Sequence, residues 1–193
     1  MRGSAPAAGF ENEAPRRATH VAAIHPVVRA RNAGGSEMSG GLAGREALAV
    51  AALRIETRVG YDAIAFYSCE NGFVLPCFAG GEDQRGLGAL RVPRGEGLVG
   101  WVAETGEPIL NGNPSVEPGY PDDGRLASAL ALPLMSEDGM VGVLALYRKE
   151  RDAFAAEDLV ALLGACSSVA SILAGIELQT ADPDSVVMIA QPA

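Results

Sequence analysis

Between residues 42 and 59 apolar side chains recur at helical spacing: Leu48, Ala52, Ile55 and Val59 are four, three and four apart and share one face. The pattern predicts a helix from Leu42 to Val59, ended by Gly60 because glycine tolerates the left-handed backbone found at helix C-termini. The period then shortens. Asp62–Cys69, an Asn71-Gly72 pair and Phe73–Ala79 predict a β-hairpin, since Asn-Gly suits the tight turn whose twist matches the flanking strands. In that register Cys69 faces Val74 and Cys77 faces Phe66, on opposite faces, so the two thiols do not bridge. Gly80 to Gly88 reads as a mobile polar loop.

Further along, Leu90–Val92 is a short strand, Pro93–Gly97 a turn, and Leu98–Glu104 a helix stopped by Thr105-Gly106. Pro108–Leu110 is another short strand, followed by a loop with two turn dipeptides, Asn113-Pro114 and Pro118-Gly119. Ala127–Met135 and Met140–Tyr147 form a second hairpin; both are apolar at their centres, as central strands covered on both faces are. The last helix, Ala156 to Leu178, carries a seam of Leu159, Leu162, Cys166, Val169, Leu173 and Ile176, with Leu163, Ala170 and Ala174 giving a second apolar side. One side suits the sheet and the other a second helix. Residues 1–39 are rich in Ala, Gly, Pro, Ser and Arg without a sustained apolar period, which predicts a disordered or loosely attached tail. The domain then spans 40–179, and 180–193 is a C-terminal tail.

Composition narrows the function. With 193 residues and 48% hydrophobic content the chain suits one domain. Its net charge of −9 is concentrated in the body, because Arg2, Arg16, Arg17, Arg29 and Arg31 lie in the first tail. An acidic body repels phosphate backbones, so nucleic acid is not an expected partner. Arg and Glu are read as interrupting every run long enough to span a membrane, and no secretory signal precedes the domain, so a cytoplasmic location is expected. Three cysteines make a disulfide framework improbable. Both histidines, His20 and His25, fall in the tail; Ser-His or Cys-His catalysis, a histidine-held haem and a histidine-containing zinc site are thereby disfavoured, and no cofactor or metal is expected. Gly95, Gly97 and Gly100 spell GxGxxG with Glu117 about twenty residues on, yet the following helix has two turns and the sheet is built from hairpins. These glycines serve a tight turn and close helix–sheet contact.

The order of elements, with Arg94-Gly-Glu-Gly-Leu-Val-Gly100, Val102-Ala-Glu-Thr-Gly-Glu-Pro108, Ala131-Leu-Pro-Leu134, Val141-Gly-Val-Leu-Ala145 and Phe154 to Leu159, resembles a GAF domain from Leu42 to Gln179. The run Ile109–Tyr120, containing NGNPSVEPGY, is most similar to GAF modules ahead of bacterial diguanylate cyclase domains. The resemblance implies an α+β fold: a mainly antiparallel six-stranded sheet, terminal helices on one face and a small-ligand pocket region on the other. It implies a homodimer through those helices, sensing an unknown small molecule in bacterial signal transduction. As the chain reaches Ala193 without room for an output domain, either a free-standing sensor or one with a separate signalling output protein is expected.

Departures from the family pattern matter as well. The Cys-His pair of bilin-binding relatives and the acidic motif of cyclic-nucleotide binders are missing. Ala155 stands where Ser or Thr usually caps the last helix, a loss of about 1 kcal/mol. The expected ligand-binding residues are Asn111, Asn113, Tyr120 and Ser128 as polar contributors, Trp101 as a flat wall, and Tyr67 on one sheet face. An alternative is a free methionine sulfoxide reductase, but its cysteines are expected where this chain has Val99 and Tyr120–Arg125. Cys69 and Cys77 read instead as strand residues and Cys166 as part of the helix seam. A third reading is a dimerisation domain with a collapsed pocket, filled by Trp101, Phe66 and Phe78.

Overall fold

The computed structural model describes residues 38–121 and 124–180, so the expected tails fall almost wholly outside the described residues. In chain order the elements are α1 (Met38–Glu56), β1 (Ala63–Glu70), β2 (Phe73–Gly81), α2 (Gln84–Leu87), β3 (Val92–Pro93), α3 (Gly97–Thr105), β4 (Ile109–Gly112), a 3-10 turn (Pro114–Val116), β5 (Ser128–Ser136), β6 (Gly139–Arg148) and α4 (Ala156–Thr180). The strands form one six-stranded sheet in the order β3-β2-β1-β6-β5-β4. Every neighbouring pair is antiparallel, as an α+β fold assembled from hairpins requires.

Asn71 and Gly72 both have positive φ, 49° and 78°, the backbone of the expected tight turn. Two details of this hairpin differ from what the sequence pattern predicts. A bulge after Phe66 pairs it with Phe78 and Tyr67 with Pro76, leaving Cys77 as the extra residue. Pro76 has no N–H for the ladder, and a bulge accommodates such an interruption. The chain after β2 is not simply a loop, because the strand continues to Gly81 and Gln84–Leu87 turns helical to bury Leu87.

Alternation along the strands gives the sheet two unlike faces. Toward α1 and α4 it presents Ile64, Phe66, Phe78, Leu130, Leu132, Leu144 and Leu146, packed with Leu48, Ala52 and Ile55 of α1 and Leu162, Val169 and Leu173 of α4. Toward α2 and α3 the same strands present Ala63, Ala65, Ala79, Ala129, Ala131 and Ala145, with Tyr67 and Tyr147 among them. The two terminal helices run against each other closely: a Cβ on Gly44 of α1 would lie 2.5 Å from the Ile176 side chain of α4.

At the start of α4 the missing hydroxyl cap is partly replaced, since the Asp158 carboxylate accepts the Ala155 N–H at 2.9 Å, half of a capping box. The expectation that charges break every long apolar run fails in this helix: Ala156–Ile176 has mean hydropathy 2.2 and is long enough to cross a membrane. In the fold its seam lies on the sheet, while Val160 and Leu163 are 65% and 54% exposed.

Gly142 of β6 marks where α4 meets the sheet, because a Cβ there would sit 2.0 Å from the Tyr67 carbonyl oxygen and 2.9 Å from Leu173. Gly142→Ala is expected to lower unfolding free energy by about 2 kcal/mol, an overpacking cost, in urea denaturation; an unchanged midpoint would refute this contact.

Candidate functional site

Four polar side chains, Glu117, Tyr67, Tyr147 and Tyr120, act on one another in the otherwise apolar interior beneath α3. The turn before α3 folds back on itself, Gly95 N–H donating to the Gly100 carbonyl at 2.8 Å, and Gly97 opens the helix with φ 63°. A Cβ on Gly97 would lie 2.3 Å from Glu117 Oε2, so glycine is needed there for space as well as for backbone angle. Glu117 arrives just past the 3-10 turn, which Asn113 caps by accepting the Ser115 N–H at 3.1 Å. Its Oε1 accepts the Val99 N–H at 2.8 Å, serving one of the open donors in the first turn of α3. Oε2 is buried and makes no hydrogen bond among the described residues.

Burial dominates the acidity of this carboxyl. Exclusion from water pushes the Glu117 pKa up to about 7, against the opposing pull of the Val99 and Leu98 amides. Facing this region, Tyr67 of β1 and Tyr147 of β6 bring their hydroxyls to 3.1 Å. Between them along the paired strands lies Ala65 opposite Ala145, whose small side chains leave room for both rings. Burial raises both tyrosines far above the ordinary phenol range, and the Glu117 charge acts on each in the same direction, so these hydroxyls stay protonated. Tyr120, 8% exposed, packs in the same cluster.

Of the six expected ligand-binding residues, only Tyr67 and Tyr120 reach this centre. Asn111, at φ 57°, instead clasps the Phe154 backbone: Nδ2 donates to its carbonyl at 2.8 Å and Oδ1 accepts its N–H at 2.9 Å. Ser128 is buried and donates to the Glu150 carbonyl at 2.8 Å. Trp101 projects outward from α3, 36% exposed. Asn111 and Asn113 line a separate cleft of about 470 Å³ with Ser115, Leu126, Lys149 and Arg151. Phe66 and Phe78 meet at 5.7 Å between ring centroids on the helix face, away from the tyrosine pair.

In the sequence Glu117 figures only as the acid following the GxGxxG run, and Tyr147 only as a strand end. Tyr147 shares a face with Tyr67 only once β1 is known to pair with β6, and Glu117 stands among turn residues that disguise it. None of the three cysteines forms a disulfide, and burial pushes the Cys166 thiol up to about 11. Cys77 packs on the helix face while Cys69 borders the α3 side. Among the described residues no cluster of His, Cys, Asp or Glu is placed to hold a metal ion.

A sheet of this order with α1 and α4 on one face and α3 over the other agrees with a family-wide comparison, in which the GAF domain model matches residues 43–174. The chain belongs to the GAF domain family. Solved structures share the GAF fold at low identity. The GAF domain of a phosphoenolpyruvate-protein phosphotransferase from Acinetobacter is 18% identical with TM-score 0.57, covering 76% of this chain and 97% of that one. A type II free methionine-R-sulfoxide reductase from Thermoplasma acidophilum is 19% identical with TM-score 0.58, covering 70% and 95%. The GAF domain of a two-component sensor histidine kinase from Bacillus halodurans is 19% identical with TM-score 0.54, covering 69% and 95%. No match was found among curated proteins. Both regulatory proteins and enzymes therefore use this fold, and the likeness extends to the fold alone.

Because the Glu117 pKa is raised in the folded chain, the folded state holds a proton that the unfolded state releases above about pH 4.5. Stability from this group is fully present below that pH and is lost as pH rises to about 7. The loss is of the order of 3 kcal/mol. Urea denaturation at pH 5, 6, 7 and 8 is expected to show that decline in the native chain and a flatter course in Glu117→Gln. Equal slopes would show that the carboxyl is not titrating in this window. Asn111→Ala, which removes both bonds to Phe154, is expected to cost about 2 kcal/mol in the same measurement.

Proposed function

We propose that this GAF domain is a non-catalytic regulatory module that takes a small ligand between α3 and the sheet and transmits its occupancy to the terminal helices. The observation carrying this reading is the Glu117, Tyr67 and Tyr147 centre, set in an interior of alanines and leucines. Leaving a buried acceptor without a hydrogen bond costs about 1–3 kcal/mol, a cost that packing alone gives no reason to retain. A mechanical path supports transmission: the Tyr67 backbone and Leu173 of α4 both crowd the missing side chain of Gly142. A guest that displaces Tyr67 therefore presses on the seat of α4.

Pairing through the terminal helices belongs to the same proposal. Leu162 and Val169 are committed to the chain's own core, so a second copy would meet the exposed Val50 and Leu53 of α1 and Val160 and Leu163 of α4. The NGNPSVEPGY run supports a role like that of GAF modules ahead of diguanylate cyclases, with a cytoplasmic output partner in bacterial signalling. Against a cysteine-based reductase stand the separation of Cys69 and Cys77 onto opposite faces and the raised pKa of Cys166, which keeps its thiol protonated.

Native mass spectrometry of the purified protein is expected to reveal a bound small molecule, depleted in a Tyr67→Phe/Tyr147→Phe variant. An occupied wild type with equal occupancy in that variant would move the site elsewhere. Incubation with free methionine sulfoxide and dithiothreitol is expected to give no turnover; turnover lost in Cys69→Ser would replace this proposal with the reductase. Sedimentation of Val160→Glu/Leu163→Glu is expected to show monomer where the native chain is dimeric. A native chain that stays monomeric at high micromolar concentration would remove the pairing.

A further inference from the structure

We propose that two copies of this chain pair through α1 in antiparallel register, with Val50 meeting its counterpart on the twofold axis and Glu46 of each copy level with the partner's Arg54. The inference rests on the pairing through the terminal helices proposed above and adds its orientation. On the side of α1 turned away from the sheet, Ala43, Glu46, Val50, Leu53 and Arg54 recur at helical spacing and are all exposed, as is Thr57 just past the helix end, while Leu48, Ala52 and Ile55 on the opposite side are buried. Val50 and Leu53 leave 48% and 50% of their surface open, an apolar centre between two charges. A groove of about 520 Å³ runs beside them between α1 and α4, lined largely by small side chains such as Ala47, Ala51, Gly164 and Ala165, so another backbone can come close.

Charge selects both the occupant of this face and its direction. Glu46 and Arg54 stand four residues to either side of Val50, and at the rise of an α-helix they are about 12 Å apart along its axis, too far to pair within one chain. Neither forms an ion pair among the described residues. A second α1 reversed about Val50 carries the partner's Arg54 to the level of Glu46 and the partner's Glu46 to the level of Arg54, so one symmetric contact answers all four charges. A parallel copy would set acid beside acid and base beside base, which is repulsive. Ala43 and Thr57, seven residues to either side of Val50, also come level in the reversed arrangement, and neither is bulky enough to hold the helices apart. Any other helix would need the complementary order of base, apolar centre and acid; a second copy brings it by symmetry alone.

The orientation has a consequence for signal output. Within one chain α1 and α4 run antiparallel: Gly44 near the start of α1 lies against Ile176 near the end of α4, and Arg148 donates both to the Gly60 carbonyl after α1 and to the Ala153 carbonyl before α4. Reversing the second copy therefore sends the two α4 ends to opposite extremes of the helix layer, roughly 30 Å apart by helical rise. Each end then reports separately, whereas a parallel pair would bring both to one point.

Charge reversal tests the register, and because both side chains are exposed the variants keep the fold. In sedimentation equilibrium Glu46→Arg and Arg54→Glu are each expected to weaken the dimer by about tenfold, and the double reversal Glu46→Arg/Arg54→Glu to return it to within about threefold of the native chain. An oxidised equimolar mixture of Ala43→Cys and Thr57→Cys chains is expected to give a disulfide-linked dimer that neither variant gives alone. Ala43→Cys chains that link to themselves, or single reversals that leave the dimer unchanged, would overturn the antiparallel register and leave the pairing in place. A double reversal as weak as the single ones would overturn the match between Glu46 and Arg54. A native chain that is monomeric at high micromolar concentration would remove the pairing itself, and this inference with it.

Discussion

A strand buried on both faces must fill two volumes with one alternating list of side chains, and that constraint shapes this domain. On β1, β5 and β6 the alternation assigns leucine, isoleucine and phenylalanine to one face and mostly alanine to the other. Large side chains interdigitate with the two long helices and supply most of the apolar burial. Alanines cannot fill an equal depth, so the opposite face is completed by the strand tyrosines Tyr67 and Tyr147 and by what its connections carry: Leu87, Leu90, Leu98, Val99 and Val102. This interior is thus covered largely by segments between strands, resting on a floor built by small residues.

Polar side chains in those segments are mostly occupied in holding the segments down. Asn111 grips Phe154, Asn113 caps the 3-10 turn, Ser128 ties the start of β5 to Glu150, and Asp158 covers Ala155. Each satisfies backbone groups that the strand ladder or helix leaves open. Glu117 does the same for Val99 with one oxygen, and differs in that its second oxygen is enclosed without a partner. Low dielectric then couples it to the tyrosine pair, which water would otherwise screen.

Close packing ties the two layers together at one point, where glycine at 142 lets β6, β1 and α4 approach one another. The uncharged stretch of α4 has a related origin. It must answer the sheet with one side and α1 with another, and the remaining Val160 and Leu163 extend its apolar surface outward.

Much of the architecture was legible in the chain. The four-three-four spacing of Leu48, Ala52, Ile55 and Val59, the Asn71-Gly72 turn and the seam of the last helix depend on neighbours in sequence, and they determined the elements, the hairpins and the family. The site was legible only in part. Tyr67 and Tyr120 were recognisable as candidates, but Tyr147 joins them through the β1–β6 pairing, a contact between residues 80 apart. Glu117 becomes an interior acid only because the loop carries it against Gly97 and the first turn of α3. Asn111, Asn113 and Ser128 read as ligand residues in the sequence, and folding also gives each of them a backbone partner. Periodicity records which face a residue must occupy; whether a polar group is spent on the backbone or left over is settled by long-range proximity, and only the tertiary structure decides it.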